Sequence, residues 1–261
     1  MDEEAWFEVT PENVGRYISK RVPTAFTIID GCSGVGGNAI QFARDHDKVT
    51  GLEISRERIS MARRNAGVYG VSGRIEFVAI DVLQYLQELP MLKNTCFYCS
   101  PPWGGMKCYE SERVRLHELP LNMEPIISEA LKKCGRAILH LPRNLDVEDL
   151  AECLGAFGVK YFEIERVFYD NGESRVKYLL VFISKDDDDS IFRIVSEFRQ
   201  DSASNLLGAS RSASILATAL VRVTYLGRHC LSALREFGLQ GVTVSPLADR
   251  DIILQRIHSR R

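Results

Sequence analysis

The chain has 261 residues, of which 45% are hydrophobic, and a formal net charge of −2 at pH 7. This length allows one α/β domain of ordinary size with an appendage, and the apolar content is enough for a real core. The near-neutral charge argues against a protein that binds a long nucleic acid through many phosphate contacts. The sequence has no signal-like start and no apolar stretch of bilayer length, which predicts a protein of the nucleus or cytoplasm.

The cysteines and histidines do not follow a metal-binding pattern. The seven cysteines are an odd number, and their apolar surroundings favour reduced core thiols over disulfides. Cys96 and Cys99 have CxxC spacing, but they lie on a predicted strand without a second ligand pair nearby. The histidines at positions 46, 117, 140, 229 and 258 show no ligand spacing. We therefore predict no metal site and no functional histidine.

Short apolar runs alternate with helical patterns from residue 27 onward. The predicted strands are 27–30, 49–53, 75–80, 95–99 and 137–141, and the predicted helices are 38–44, 56–68, 125–133 and 147–157. This alternation is typical of parallel strands joined by right-handed crossovers. Two longer strands, 160–168 and 176–183, follow, and the turn residues between them predict a hairpin. We therefore predict a Rossmann-like fold whose mainly parallel, seven-stranded sheet ends in an antiparallel hairpin.

A run of aspartates separates two regions of different composition. It predicts an acidic, solvated linker at residues 185–190. Residues 1–184 would form the main domain, with residues 1–22 as its lead-in segment. Residues 191–261 contain ten arginines and no lysine, and arginines interrupt their apolar stretches. We predict that they form a helical extension, whose role the sequence does not define.

The first strand leads into a glycine-rich loop, Asp30 to Asn38, that opens a helix. Gly34 and Gly36 let the backbone approach a bound nucleotide, and the helix start offers free amides. Glu53 ends the second strand, where an acid can accept bonds from both ribose hydroxyls. A nicotinamide cofactor would share these features, but Asp30 would repel its pyrophosphate and suits the ammonium of a methionine-derived cofactor. The loop therefore predicts S-adenosylmethionine, and hence a class I methyltransferase.

The fourth strand ends in the turn Ser100-Pro101-Pro102-Trp103-Gly104-Gly105. Two prolines stop the strand and leave backbone carbonyls exposed. Such carbonyls can accept hydrogen bonds from an exocyclic amine, while Trp103 offers a flat face for stacking. Taken alone, the turn could equally be a strand terminator with Trp103 in the core. Its position beside the glycine loop favours a catalytic role for Ser100, Pro101 and Trp103.

Five segments resemble the trimethylguanosine synthases, the RNA cap guanine-N2 methyltransferases. In order and with similar spacing, they are residues 6–12, 30–38, 65–70, 100–105 and 141–144. The likeness covers about residues 3–184. It implies methylation of the exocyclic N2 amine of 7-methylguanosine in RNA 5′ caps, giving 2,7-dimethylguanosine or 2,2,7-trimethylguanosine. It also implies capped RNA of the snRNA or snoRNA type as substrate and a monomeric enzyme.

The resemblance assigns a role to each candidate residue. The lead-in segment would close over the cofactor through Glu4, Phe7 and Thr10. Asp30 and Glu53 would hold the methionine and ribose parts, and Asp81 the adenine amino group. The cap guanine would stack on Trp103, with Asn65, Ser100 and Pro101 reading its edge and Arg143 meeting the phosphates. Because N7-methylation makes guanine cationic, Trp103 would add about 0.5–2 kcal/mol of cation–π attraction.

Simpler interpretations of these residues remain open. Thr10 followed by Pro11 is typical of a helix N-cap. Asp81 is also a common turn residue, Asn65 would lie on a solvated helix face, and Arg143 could form a surface ion pair. Two other functions compete as well: amino-methylation of adenine or another base in DNA or RNA, and cap binding without catalysis. A uracil-C5 enzyme would need a nucleophilic cysteine just after the turn, and Cys108 is too far along.

Overall fold

The computed structural model describes residues 8–159, 161–169 and 175–185, together with the strands at 218–224, 242–244 and 254–256. The helices are α1 Glu12–Arg21, α2 Gly37–Asp45, α3 Arg56–Val68, α4 Val82–Glu88, α5 Met123–Cys134 and α6 Val147–Ala156. The first five strands are β1 Thr27–Asp30, β2 Val49–Glu53, β3 Ile75–Ala79, β4 Thr95–Cys99 and β5 Arg136–Pro142. The remaining strands are β6 Tyr161–Tyr169, β7 Arg175–Ser184, β8 Thr218–Thr224, β9 Val242–Val244 and β10 Leu254–Arg256. No helix among these residues combines the length and apolar character needed to cross a bilayer.

The main sheet has the strand order β3-β2-β1-β4-β5-β7-β6-β8. Strands β1 to β5 are parallel, and β7 runs antiparallel to both β5 and β6. The predicted mainly parallel sheet with a terminal antiparallel hairpin is therefore confirmed. Helices cover both faces of such a sheet, which allows its central strands to be apolar throughout.

The main difference lies after residue 190, where we predicted a helical extension. Residues 218–224 instead form β8, which pairs antiparallel with β6 and adds an eighth strand. Strands β9 and β10 pair with each other in a separate small sheet. The β-branched residues of β8 and β9 explain the outcome, because threonine and valine fit a pleated strand better than a helix. The domain boundaries themselves stay a prediction.

Strand β4 lies at the centre of the sheet and supports the candidate catalytic turn. All five of its residues are buried. Phe97 belongs to the hydrophobic cluster that includes α5, and Tyr98 to the cluster that includes α2. The Tyr98 ring meets that of Phe42 at 5.3 Å between centroids. The turn that follows Cys99 therefore extends from a densely packed strand, which limits its movement.

Helix α1 is anchored to the antiparallel end of the sheet by a buried charge cluster. Arg21, only 2% exposed, pairs with Glu165 and, at 3.0 Å, with Glu163 on β6. Tyr17 donates a hydrogen bond to Glu165 at 2.7 Å, and the Arg21 guanidinium lies 4.0 Å from the centroid of the Phe182 ring. Burial raises the pKa of Glu165 to about 7 although Arg21 opposes the shift. This cluster fixes the lead-in segment against the sheet.

Candidate active site

The glycine loop between β1 and α2 has two positions that favour glycine for different reasons. Gly34 and Gly36 have φ angles of +53° and +88°, and residues other than glycine rarely adopt such positive φ angles. A Cβ on Gly36 would lie 3.2 Å from the Cβ of Ala62 on α3. A Cβ on Gly34 would meet no atom within 4 Å. Gly36 therefore serves close packing against α3, whereas Gly34 borders open space above the loop.

Asp30 is a buried carboxylate without a bonding partner. It is 1% exposed, and neither of its carboxylate oxygens accepts a hydrogen bond from the described residues. Burial raises its pKa to about 7, and the charge of Glu53 adds to the shift. The backbone amides of Cys32 and Ala39 lower the pKa, but neither completes a hydrogen bond of normal geometry. An ionised carboxylate in this position costs free energy unless a cation satisfies it. Asp30 therefore fits the ammonium of S-adenosylmethionine.

Glu53 braces the glycine loop. Its Oε2 accepts a hydrogen bond from the amide of Gly34 at 3.0 Å, and its Oε1 accepts one from Ser55 at 2.9 Å. A carboxylate has about four lone-pair sites, so these two bonds leave acceptor capacity for a diol. The register of β1 and β2, which pairs Asp30 with Gly51, brings both acids to the same edge of the sheet. The predicted juxtaposition of Asp30 and Glu53 is thus present in the fold.

Asp81 and Asn65 have clear structural contacts. Asp81 is the N-cap of α4, and its Oδ1 accepts hydrogen bonds from the amides of Leu83 and Gln84 at 2.9 and 3.0 Å. Asn65 donates from Nδ2 to the carbonyl of Val35 at 2.9 Å. Asn65 therefore faces the glycine loop and fixes it, a contact that sequence spacing does not reveal. The predicted contacts of both residues with ligands stay predictions.

Trp103 is both packed into the core and partly exposed, so it has features of a core residue and of a stacking face. Its indole is only partly buried, yet it packs against both hydrophobic clusters. Its Nε1 donates a hydrogen bond to the carbonyl of His140 at 3.3 Å. Gly104 and Gly105 follow with φ angles of +83° and +64° and turn the chain away. Trp103 is therefore anchored in the core by one edge while part of its ring stays accessible.

His140 lies directly against Trp103, which the sequence did not predict. The two rings meet edge to face, with 5.3 Å between centroids and an interplanar angle of 76°. The centroid of the Tyr178 ring lies 4.1 Å from that of His140. Burial, and to a lesser extent the charge of Lys177, lower the pKa of His140 to about 3. A polar residue inside the apolar strand β5 was the sequence signal for this contact.

Thr10 does not cap helix α1 through its side chain, so the N-cap interpretation is wrong. The helix begins at Glu12 with Pro11 as its N-cap, and no side chain bonds there. The Thr10 hydroxyl is instead buried and accepts a hydrogen bond from Asn38 Nδ2 at 2.9 Å. Its Oγ1 also lies 3.4 Å from His140 Nδ1. The lead-in segment therefore contacts both the glycine loop and the strand below Trp103.

The other lead-in residues of the site have different outcomes. Glu4 and Phe7 lie outside the described residues. The Oε2 atom of Glu8 pairs with Arg58 Nη1 on α3 at 3.3 Å. Because this ion pair is partly exposed, it contributes little to stability.

Arg143 is held against an aromatic ring. Its guanidinium lies 4.0 Å from the centroid of Tyr109, a cation–π contact. Asn144 donates from Nδ2 to the carbonyls of Cys108 and Ser111 at 2.8 and 2.9 Å. The segment at 141–144 therefore fixes the loop that follows the proline turn. The arginine that we expect at the cap phosphates is oriented by this loop.

The CxxC pair on β4 does not form a dithiol site. Cys96 and Cys99 are both buried, and Cys99 Sγ lies 3.5 Å from the thiol of Cys32 in the glycine loop. This contact, and then burial, raise the pKa of Cys99 well above its usual value. Cys99 therefore behaves as a protonated core thiol at neutral pH.

Known proteins resemble this chain in both sequence and fold. The profile of a family described as RNA cap guanine-N2 methyltransferase matches residues 25–186. The trimethylguanosine synthase of Schizosaccharomyces pombe is 37% identical over 158 residues, 58% of this chain and 66% of that protein. The trimethylguanosine synthase of Saccharomyces cerevisiae is 35% identical over 159 residues, 58% of this chain and 50% of that protein. The chain thus spans between half and two thirds of these relatives.

A comparison with solved structures agrees with the sequence comparison. The structure of a putative methyltransferase from Porphyromonas gingivalis W83 has a TM-score of 0.55 and 17% identity, and the match covers 83% of this chain and 50% of that one. At this level of identity the likeness concerns the fold, which is that of class I methyltransferases.

Proposed function

Because the chain belongs to the RNA cap guanine-N2 methyltransferase family, we propose that it methylates the exocyclic N2 amine of 7-methylguanosine in RNA 5′ caps. The observation that carries this proposal is the register of β1 and β4, which pairs Asp30 with Tyr98. It brings the Asp30 carboxylate, which has no hydrogen-bond partner among the described residues, beside the strand that ends in the proline turn. Transfer of one methyl gives 2,7-dimethylguanosine, and a second round gives 2,2,7-trimethylguanosine.

S-adenosylmethionine is the cofactor of this family and fold, and when bound it supplies an electrophilic methyl group on its sulfonium. Asp30 would hold its ammonium, since this carboxylate has no other partner among the described residues. Glu53 would accept bonds from the ribose hydroxyls, with the loop open for close approach at Gly34. Asp81, an exposed N-cap at the next strand end, would accept a bond from the adenine amine.

Trp103 would bind the guanine. Its accessible ring face is held by the bond from Nε1 to His140, so its plane is set before substrate arrives. A cationic 7-methylguanine gains about 0.5–2 kcal/mol from the indole that unmethylated guanine lacks. Arg143, oriented by Tyr109, would meet the phosphates. Asn65 would support base recognition by holding the glycine loop, because its Nδ2 donates a hydrogen bond to the carbonyl of Val35.

The residues of the site favour catalysis by orientation. Carbonyls at Ser100 and Pro101 would accept hydrogen bonds from the N2 amine and direct its lone pair at the methyl group, and Trp103 would fix the ring plane. His140 is neutral and its lowered pKa makes it a poor proton acceptor. The N2 proton would therefore leave to solvent after transfer, when the nitrogen has become acidic.

A substrate panel tests the proposal. The protein would be incubated with labelled S-adenosylmethionine and with a 7-methylated cap dinucleotide, the unmethylated dinucleotide or adenine-containing DNA. We expect N2-methylated product with the 7-methylated cap alone, and mass spectrometry would show whether one or two methyls are added. Equal rates on the unmethylated cap would contradict cation recognition. Product on adenine alone would favour an adenine amino-methyltransferase, and cap binding without product would indicate a cap-binding module.

The cellular setting of this activity is part of the proposal. We propose that the substrates are capped RNAs of the snRNA or snoRNA type, that the protein acts in the nucleus or cytoplasm, and that it acts as a monomer. Immunoprecipitation of the tagged protein followed by sequencing of bound RNA would test the first point. Enrichment of messenger RNA alone would contradict it.

A further inference from the structure

A buried polar junction joins the two halves of the candidate site. It consists of Thr10, Asn38, Tyr98 and His140. Nδ1 of His140 lies 3.3 Å from the hydroxyl of Tyr98 and 3.4 Å from that of Thr10. Asn38, the last residue of the glycine loop and part of the first turn of α2, donates to Thr10 at 2.9 Å. The polar junction thus links the strand under Trp103 with the start of the cofactor-side helix.

Stability alone does not account for a histidine at this position. His140 is 3% exposed, and its Nε2 has no hydrogen-bond partner among the described residues. A buried, unpaired nitrogen costs free energy, and this cost offsets part of what the Nδ1 contacts with Tyr98 and Thr10 contribute to stability. A polar group kept at such a cost in a packed site points to a functional constraint.

His140 touches both sides of the reaction centre. On the substrate side, its carbonyl accepts the bond from Trp103 Nε1, and its ring supports the indole edge to face. On the cofactor side, its Nδ1 reaches Thr10, which Asn38 holds beside the loop. A shift of the loop would therefore be transmitted to the plane of Trp103 through a short chain of rigid contacts.

We propose that His140 is a positioning residue that fixes the Trp103 ring plane relative to the glycine loop, so that filling the cofactor side tightens binding on the base side. The inference rests on the proposed function for its substrate. Methyl transfer depends on alignment, and a misplacement of about 1 Å can cost about a hundredfold in rate. Coupling between sites by such contacts is reciprocal: each ligand tightens the other by the same factor.

Two substitutions separate the contributions of His140. His140→Phe keeps an aromatic ring against Trp103 but removes the Nδ1 contacts with Thr10 and Tyr98. His140→Ala removes both. The control is His46→Phe, because His46 is an equally buried histidine whose nitrogens contact the carbonyls of Phe26 and Ser19, outside the polar junction.

Calorimetry would measure binding of 7-methylated cap dinucleotide with and without S-adenosylhomocysteine, alongside steady-state rates and thermal midpoints. For His140→Phe we expect each ligand alone to bind within about twofold of wild type, while the mutual tightening falls about fivefold and kcat about tenfold. His140→Ala should also weaken cap binding alone. His46→Phe should lower the thermal midpoint and leave the coupling unchanged. Wild-type coupling and kcat in His140→Phe would overturn the proposal.

A second readout does not depend on the cap. Trp6 and Trp103 are the two tryptophans of the chain, so Trp6→Phe leaves Trp103 as the sole indole reporter. S-adenosylhomocysteine should change the fluorescence of Trp103 in Trp6→Phe and not in Trp6→Phe/His140→Phe. An identical response in both would overturn the role of His140. Absence of cap methylation with a normal fluorescence difference would instead overturn the proposed substrate and leave the positioning role intact.

Discussion

Asp30 and Tyr98 are register partners on the adjacent parallel strands β1 and β4, and burial, followed by the charge of Asp30, raises the pKa of the Tyr98 hydroxyl. Both side chains are buried. One strand continues into the glycine loop and the other into the proline turn. The interior of the sheet therefore brings the two ligand-binding loops together, and changes at Asp30 should be felt in both stability and binding.

Replacing Asp30 with asparagine should stabilise the free protein. The pKa of Asp30 is raised to about 7 from an ordinary value of 3.8, so the folded state retains a proton that the unfolded state loses. Wild-type stability should thus fall as pH rises from about 4 to 7 and stay lower above it, by up to about 4 kcal/mol. Urea unfolding of Asp30→Asn at pH 5 to 8 should lack this decline. Parallel pH profiles would contradict the burial of an unpaired carboxylate.

Cofactor affinity should depend on pH and on Asp30 in the direction opposite to stability. If the ionised carboxylate of Asp30 holds an ammonium, the affinity for S-adenosylhomocysteine should rise as pH increases from about 6 to 8, because Asp30 ionises near pH 7. Asp30→Asn should bind at least about tenfold more weakly. Its affinity should also be less dependent on pH. Calorimetry across this range would measure both, and an Asp30→Asn affinity within twofold of wild type would exclude the assigned role.

The two loop glycines should respond differently to alanine. Gly36→Ala forces a Cβ to 3.2 Å from Ala62 at a φ of +88°, and should destabilise the fold by about 1–3 kcal/mol. Gly34→Ala has open space for its methyl group and should cost about 1 kcal/mol. That methyl group enters the proposed cofactor space, so Gly34→Ala should lose more free energy of cofactor binding than free energy of unfolding. Thermal unfolding should therefore show the larger loss for Gly36→Ala, and calorimetry of cofactor binding the larger loss for Gly34→Ala.

Trp103 should be needed for turnover and dispensable for cofactor binding. Trp103→Ala removes the stacking face, and we expect kcat/KM for the 7-methylated cap to fall at least about a hundredfold. Trp103→Phe keeps a weaker aromatic face and should retain intermediate activity. Affinity for S-adenosylhomocysteine should change little in both, which calorimetry would measure. Equal loss of cofactor binding would mean that Trp103 supports the fold of the whole site.

The buried charge cluster at α1 should contribute far more to stability than an exposed ion pair between α1 and α2. Arg21→Met leaves Glu165 buried without its cation and should cost about 3–5 kcal/mol. The control Arg44→Met breaks an exposed ion pair with Glu12, 3.0 Å long, and should cost less than about 1 kcal/mol. Urea unfolding at neutral pH would compare the two. Similar losses would show that the cluster is more hydrated than its geometry indicates.

The sequence identifies features that depend on neighbours along the chain. The bounds of β1 and β4, the glycine loop and the proline turn follow from local apolar runs and from glycine and proline chemistry. Contacts between elements that are distant in sequence are different in kind. The bond from Asn65 to Val35 and the contact of Thr10 with His140 join residues 30 and 130 positions apart, and no local pattern encodes them. The strand β8 is a different case: its threonines and valines were a local signal for a strand, and the prediction of a helix did not weigh them.

The pairing of Arg21 with Glu163 also constrains the order of events during synthesis. The two residues are 142 positions apart, so Arg21 leaves the ribosome long before its partner exists. Until β6 and β7 are complete, burial of α1 would place an unpaired guanidinium in an apolar core, which is strongly unfavourable. Helix α1, and Thr10 with it, can therefore dock only after β6 and β7 have been synthesised. Both ligand-binding loops can take shape earlier, and the connection between them forms after them.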